Sequence, residues 1–571
     1  MSDDITFRIT GEAGQGMQSI GKIICKALAK GGIEVFANQD YESRIRGGCN
    51  HFDIRARDWP VYGPADEVDI LVALSREGVR RHLPSVAPDG AVIFDSDQIK
   101  NVSAKCNVLA APLERIAKKA GGSAVMSNTV GAGVALGLIG CEITLVNQVL
   151  RSQFRSKGKE VVDANLAVAR AGHDYARAHT PDGWDRRMDR RSVKHLLMRG
   201  NDAIAVGAIT AGCKFASAYP MTPSTSISEY LAMHADKCGL VFEQAEDEIS
   251  ALIMAQGAAT AGARAMVATS GGGIALMVEG VSLAAATETP IVIIDAMRPG
   301  PATGLPTRTE QADLEFVIHA GHGEFARVVL APGTAEQAFE CTLRAFNLAE
   351  AYQIPVFVLT DQHLADQYRT VEAPELAEVP INRGALLPPG EVPEGYARHA
   401  ITRSGVSPRA LPGKQEALVV TAGDEHDERG FMIEAAKPRV AQVDKRLRKV
   451  RALVREMGRP SVYGPRGADI GLLCWGSTYG ACREAIDLLR RDGYSVAMVH
   501  FTDLWPFPAR AVESLLSRYL RLIDVEGNAT AQLAHLLRAE TGMSVDATIL
   551  RYDGRPFSPS AIAKRVKEEI G

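Results

Sequence analysis

The sequence predicts a multidomain α/β protein, and three observations carry that prediction. The chain has 571 residues, more than one hydrophobic core sustains, so three or four domains are expected. Near the N-terminus a strand runs into a glycine-rich loop and then a helix. From about residue 203 onward, short β-branched runs alternate with longer small-residue runs, the pattern of a parallel sheet with helices on both faces. Hydrophobic residues make up 46% and charged residues 23%, as in a soluble globular protein. A net charge of -4 gives no drive towards nucleic acid or an anionic membrane.

Residues 1–180 form the first expected domain. Ile5–Ile9 alternates as a strand. Gly11-Glu12-Ala13-Gly14-Gln15-Gly16-Met17 follows, then a helix from Ser19 to Lys30. Such a loop turns backbone N–H groups and a helix N-terminus towards an anion, usually a phosphate. Its spacing, G-x-x-G-x-G, is neither the dinucleotide fingerprint nor a P-loop, and a plain tight turn explains it equally well. Strands are expected at 33–37, 51–56, 69–74 and 91–95, and a helix at 128–139. Arg44-Ile45-Arg46-Gly47-Gly48 sets two arginines beside paired glycines, which suits a polyphosphate or simply a solvated turn. Ser127-Asn128-Thr129 reads as a helix cap, a role compatible with ligand contact.

Residues 181–194 open with Pro181-Asp182-Gly183 and are dense in charge, as inter-domain linkers are. The second domain, 195–380, contains Tyr219-Pro220-Met221-Thr222-Pro223-Ser224-Thr225. Two prolines stiffen this loop, and Tyr219 and Thr222, each preceding a proline, are expected to be extended. Held hydroxyls and backbone donors suit recognition of a carboxylate; an ordinary turn capped by Thr225 or Ser226 is the plainer reading. Glu246-Asp247-Glu248 then opens an Ala-rich helix, where acids favour the positive helix end. Strand 265–269 leads to Ser270-Gly271-Gly272-Gly273 and a helix to Ala285. Strand 291–295 leads to Arg298 and on to Arg308. Ligands on such sheets bind beyond the carboxyl ends of strands, where these loops lie.

Residues 381–465 read as a connector or arm that includes a strongly basic helix, Lys437–Met457, solvated or facing another subunit. Thr421 to Asp427 places His426 among acids without spaced metal partners, and reads as a turn. A last α/β domain, 466–571, has strands at 471–475, 494–499, 522–526 and 547–550.

Taken together these motifs resemble the 2-oxoacid:ferredoxin oxidoreductases, over nearly the whole chain. Gly11 to Met17, Arg44 to Gly48 and Asn128-Thr129 look like the family's gamma domain, with Ala13 departing from its G-x-G-G-Q-G loop. The resemblance implies that Gly11, Gly14, Gln15, Gly16, Met17, Arg46, Gly47, Gly48, Asn128 and Thr129 help bind coenzyme A. Tyr219 to Thr225 is similar to the alpha-subunit motif Y-P-I-T-P-S. The second domain would then be the pyrimidine-binding half of a thiamine diphosphate enzyme, with Glu248 on the aminopyrimidine ring and Ser270 and Gly271 against the cofactor. Glu246 is the rival for that carboxylate role. Thr222 and Arg308, with Tyr219 and Pro220, would hold the substrate. The last domain resembles the transketolase C-terminal domain.

Two absences shape the expected assembly. No Gly-Asp-Gly occurs in the sequence, and none of the nine cysteines is spaced C-x-x-C. The resemblance therefore implies a separate beta subunit that supplies the diphosphate anchor, Mg2+ and a [4Fe–4S] cluster, in an (alpha-beta)2 complex that reduces ferredoxin. The odd cysteine count and the lack of a signal-like start fit a cytoplasmic chain. The expected activity is coenzyme A-dependent oxidative decarboxylation of a 2-oxo acid, with 2-oxoglutarate favoured over pyruvate, branched-chain or aryl-pyruvate substrates. Arg298, His319 and His322 are the candidate cations for a second carboxylate. A non-redox thiamine carboligase and a non-catalytic nucleotide-binding subunit are the alternatives.

Overall fold

A computed structural model describes residues 4–43, 47–373, 379–388, 390–413 and 417–571. The chain forms two compact units. The first holds Met1–Arg199, Asp366–Ala373 and Ser558–Ser560, and the second holds the rest.

The strands, in chain order, begin with β1 (Asp4–Ala13), β2 (Glu34–Asp40), β3 (Gly47–Arg57), β4 (Val68–Ala73), β5 (Val86–Asp95), β6 (Asn107–Ala111) and β7 (Leu196–Arg199). Then come β8 (Phe215–Ala218), β9 (Val241–Gln244), β10 (Ala265–Thr269), β11 (Ile291–Met297), β12 (Val328–Leu330), β13 (Pro355–Asp361) and β14 (Tyr368–Val371). The last are β15 (Ser461–Tyr463), β16 (Ile470–Trp475), β17 (Val496–Phe501), β18 (Asp503–Trp505), β19 (Arg521–Glu526) and β20 (Ala547–Leu550).

In the first unit the order is β6-β5-β4-β1-β3-β2-β14-β7. The β6, β5, β4 and β1 strands run parallel, and from β1 through β3, β2, β14 and β7 every pair is antiparallel. Helix Met17–Lys30 presses Ile20, Ile23 and Ile24 into the core with Phe7 and Phe52. At Gly21 a Cβ would stand 2.6 Å from the Phe52 ring, so only glycine allows that approach. Helices Ser127–Leu138 and Lys159–Ala178 touch backbone to backbone through Gly133, Gly137 and Gly172. The 181–194 segment folds back on this unit. Arg186 pairs with Asp69 and Asp89 at 2.8 Å each, the Trp184 indole N–H donates to the Leu138 carbonyl, and Met188 enters the core.

The second unit contains two sheets, ordered β18-β12-β13-β11-β10-β8-β9 and β15-β17-β16-β19-β20. Both are parallel apart from the edge strands β18 and β15. This is the α/β architecture expected from the alternation of short apolar and longer small-residue runs. Gln311 joins the two sheets: its amide donates to the Trp475 carbonyl at 2.8 Å and accepts from the Gly527 N–H at 2.8 Å. Glu526 and Asn528 close their loop onto helix Gln532–Thr541, where Glu526 accepts from Leu533 N–H and Asn528 from Ala531 N–H.

The basic helix Ala436–Glu456 is not simply solvated. Lys445 and Lys449 reach the carboxylate of Glu288, Lys449 at 2.6 Å, and His399 Nδ1 lies 3.1 Å from it. Burial works against the charge on Glu288, yet Lys449, His399, Lys445 and Arg398 hold its carboxyl well below the ordinary range. Glu425, within the turn expected at 421–427, pairs with Arg446 at 2.8 Å and with Arg439.

Candidate active site

The loop after β8 is built by its prolines and hydroxyls. Thr222 lies in a tight turn after β8. Its bond to Pro223 is cis, and the Met221 carbonyl accepts from both the Ser224 N–H and the Ser224 hydroxyl. The helix begins at Thr225 with Ser224 at the cap position, one residue before the expected caps, and the Ser224 hydroxyl goes to that turn rather than to a helix N–H. Buried Asn201 fixes the loop from below, its Nδ2 donating to the Pro223 carbonyl and the Ser226 hydroxyl at 2.9 and 2.8 Å. Tyr219 and Pro220 stand exposed at the start of the loop.

Glu248 is the first residue of helix Glu248–Thr260, whose cap is Asp247 accepting from Ser250 N–H. It is 3% exposed, and its Oε1 has no hydrogen-bond partner. Glu246, two residues earlier, is exposed. A buried carboxylate oxygen without a donor is costly unless something supplies one. The neighbouring helix, Gly271–Ala286, starts against it: a Cβ on Gly273 would lie 2.0 Å from the Thr269 hydroxyl and 2.7 Å from Glu248 Cγ. Gly273 thus lets two helix N-termini and the end of β10 converge. Ser270 caps that helix by position, but its hydroxyl is fully buried and makes no hydrogen bond.

Arg298, the first residue after β11, donates from Nη1 to the Thr222 carbonyl at 2.7 Å and lies in the field of Glu248. Burial pulls its pKa below the ordinary guanidinium value, and Glu248 works the other way. The structure therefore brings Thr222, Glu248 and Arg298 together. Arg308 has its stem against Gly554, where a Cβ would stand 3.0 Å from its own. His319 and His322 are exposed. From sequence Arg298 is a candidate cation for a second carboxylate only. The signal that would have raised it is its place at the carboxyl end of a parallel strand. Asp295, inside the same strand, was not singled out. It is fully buried with both carboxylate oxygens unpartnered, and burial followed by the nearby Asp313 pushes its carboxyl far above the ordinary range.

In the first unit, Gly14 and Gly16 have φ of 91° and 81°, and Gly16 caps helix Met17–Lys30 in the left-handed region. A Cβ on Gly16 would overlap the Asn128 amide at 2.0 Å, so the loop and helix Ser127–Leu138 meet there. The Gln15 amide oxygen accepts from Glu12 N–H at 2.8 Å and closes the loop beside Gly11. A cavity of about 310 Å3 opens between them, lined by Gly14, Gln15, Leu74, Asp95, Ser127 and Asn128. Met17 turns its side chain into the core, and the Thr129 hydroxyl is given to Asn165 at 3.0 Å. Gly47 and Gly48 both have φ of 78° at the start of β3. Arg44 and Arg46 lie outside the described residues.

The residues present fit the cofactor the sequence implies for the second unit. The lone oxygen of Glu248 suits a ring nitrogen of an aminopyrimidine, and at nearby Gly272 the position of a Cβ is open, with only Met221 Sδ at 4.0 Å. Among the described residues no three His, Cys, Asp or Glu side chains group to hold a metal ion, and no helix is long and apolar enough to cross a membrane.

Residues 206–445 match the family described as pyruvate flavodoxin/ferredoxin oxidoreductase, thiamine diphosphate-binding. Residues 6–175 match pyruvate ferredoxin/flavodoxin oxidoreductase, and 468–562 match core domain II of pyruvate:ferredoxin oxidoreductase. Subunit alpha of 2-oxoacid:ferredoxin oxidoreductase 2 from Aeropyrum pernix is 32% identical over 99% of this chain and 97% of its own. The 2-oxoglutarate oxidoreductase subunit KorA of Mycobacterium tuberculosis is 30% identical over 100% of this chain and 92% of its own. A solved 2-oxoglutarate:ferredoxin oxidoreductase from Magnetococcus marinus, with 2-oxoglutarate, coenzyme A and succinyl-CoA bound, superposes with a TM-score of 0.92 at 33% identity over 100% of both chains. The chain, with its thiamine diphosphate-binding domain and the orphaned carboxylate of Glu248 inside it, belongs to the 2-oxoacid:ferredoxin oxidoreductases as an alpha subunit.

Proposed function

We propose that this subunit, with a beta subunit, oxidises 2-oxoglutarate to succinyl-CoA and CO2 and passes the electrons to ferredoxin. The observation that carries the thiamine chemistry is the buried, unpartnered oxygen of Glu248 beside Gly273. The choice of 2-oxoglutarate is supported by full-length likeness to a 2-oxoglutarate enzyme of the same architecture. Bound thiamine diphosphate supplies the carbon nucleophile and the electron sink for decarboxylation. Glu248 holds a proton at a ring nitrogen of the cofactor and acts as a base through it. Arg298 and the stiffened Thr222 loop orient the 2-oxo acid head, the guanidinium by charge-assisted donors. In the first unit the Gly14–Gly16 loop and Asn128 receive coenzyme A, phosphate oxygens facing the N-terminus of helix Met17–Lys30.

The diphosphate anchor, Mg2+ and the iron–sulfur cluster are assigned to the beta subunit, since this sequence has no Gly-Asp-Gly and no closely spaced cysteines. An (alpha-beta)2 assembly and a cytoplasmic location complete the proposal. The test is viologen reduction by the co-expressed complex with 2-oxoglutarate, pyruvate or a branched-chain 2-oxo acid, each with and without coenzyme A. Strict dependence on coenzyme A with a preference for 2-oxoglutarate is expected. A complex that carries cluster and cofactor yet reduces no dye would overturn the redox reading. Glu248→Gln should lower turnover about 10²–10⁴-fold with the complex still assembled by gel filtration; unaltered turnover removes Glu248 from the chemistry.

A further inference from the structure

The second unit carries a cavity of about 760 Å3 that shares no lining residue with the Glu248 site. It lies between the C-terminal halves of helices Ala335–Tyr352 and Ala436–Glu456, with residues 382–385 and 403–406 closing it. Five arginines face it, Arg344, Arg403, Arg448, Arg451 and Arg455, against a single carboxylate, Glu456. That carboxylate is already engaged by the Tyr352 hydroxyl at 3.0 Å. Arg344 is held by Asp503 at 2.6 Å, and Arg448 donates to the Thr402 carbonyl. The side chains of Arg403, Arg451 and Arg455 make no hydrogen bond or ion pair among the described residues.

The contrast within one helix is informative. Lys445, Arg446 and Lys449 are matched by the carboxylates of Glu288 and Glu425. Arg448, Arg451 and Arg455, spaced by three and four residues, share another face and repel one another there. The fold supplies acids where it neutralises its own cations and leaves this face to something external. Guanidinium forks match phosphate oxygens bidentately, and the volume is that of a small-molecule site. The rest of the lining is mixed: Asn347, Tyr352, Asn382 and Ser404 stand in it, and Leu348, Ala351, Val406 and Ala452 give it an aliphatic wall on which a ring can lie but for which a bare polyphosphate has no use.

We infer that this cavity binds a polyphosphorylated nucleotide, its phosphates on Arg403, Arg451 and Arg455 and its base against the aliphatic wall. Because the walls come from the arm helix and from helix Ala335–Tyr352, the ligand braces one against the other.

The test is calorimetric titration of the assembled alpha-beta complex with ATP and, in parallel, with inorganic tripolyphosphate. The Arg451→Ala/Arg455→Ala variant is the control; both side chains are exposed and neither belongs to the Glu248 site or the glycine loop. Expected are saturable ATP binding at one site per alpha chain, binding at least ten-fold weaker in the variant, weaker binding of tripolyphosphate, and unchanged dye reduction without ATP. Absence of saturable ATP binding overturns the inference. So does equal affinity in wild type and variant, which would place ATP elsewhere. Tripolyphosphate that binds as tightly as ATP overturns the nucleotide assignment.

Discussion

At the residue scale, two arginines that look alike in sequence are separated by position. Arg298 ends a parallel strand and touches the Thr222 carbonyl, whereas Arg308 rests on Gly554. Arg298→Ala should therefore cut kcat/KM for the 2-oxo acid by one to three orders of magnitude, equivalent to about 1.4–4 kcal/mol of transition-state binding. Arg308→Ala should mainly raise the KM for the 2-oxo acid and slow the chemistry. Steady-state kinetics on both variants check this, and normal kinetics in either one would remove that arginine from the site. Asp313 carries a second residue-scale consequence. Burial raises its carboxyl to about 6, above the unfolded value of about 3.9. The folded state thus binds a proton more tightly than the unfolded one. The stability this confers is complete below the unfolded value and is lost as pH rises through about 6. Asp313→Asn should raise stability at pH 8 by about 1–3 kcal/mol and change nothing near pH 3. Thermal melts at the two pH values check this; an equal gain at both would mean a packing effect.

At the scale of elements, patterning was legible where segments were local and strongly periodic. The Ala265–Thr269 and Ile291–Met297 strands begin where the apolar runs place them, and the Gly-rich loop opens helix Met17–Lys30. Helices Ile143–Phe154 and Lys159–Ala178 are less legible, because beyond the apolar run ending near Ile139 their amphipathic stripes are interrupted by polar and charged residues. The role of the basic helix Ala436–Glu456 was also hidden. Its partners Glu288 and Glu425 are distant or separate in sequence, and no local pattern links them. A prediction belongs to this element. Glu288→Ala leaves Lys445 and Lys449 buried without their counter-charge and should cost about 3–5 kcal/mol. Adding Lys449→Met should recover part of that loss. Urea midpoints of the single and double variants measure it; additive losses would show that the two side chains are not coupled.

At the scale of the whole molecule, the fold class followed from alternation, but the path of the chain did not. Residues 368–371 leave the second stretch of sequence to become β14 in the sheet of the first unit, and such a non-local pairing has no signature in the residues themselves. Cysteine placement gives a whole-chain expectation. All nine cysteines are free, and only Cys106 and Cys238 are not buried. An aromatic disulfide reagent should label at most those two quickly in the native chain and all nine after denaturation. Rapid native labelling of further thiols would show that the buried cysteines are reached by opening of the fold.

The position of β14 has a consequence for how this protein can be divided. It lies between β2 and β7 and pairs with both. A fragment ending at Arg199 would therefore keep β2 and β7 but lose the strand that joins them, leaving two raw ladder edges open to any extended peptide. The N-terminal unit is a sheet whose closing strand is encoded some 170 residues after the rest of it, so a gene cut between the two units would yield a sticky half and a loose thread.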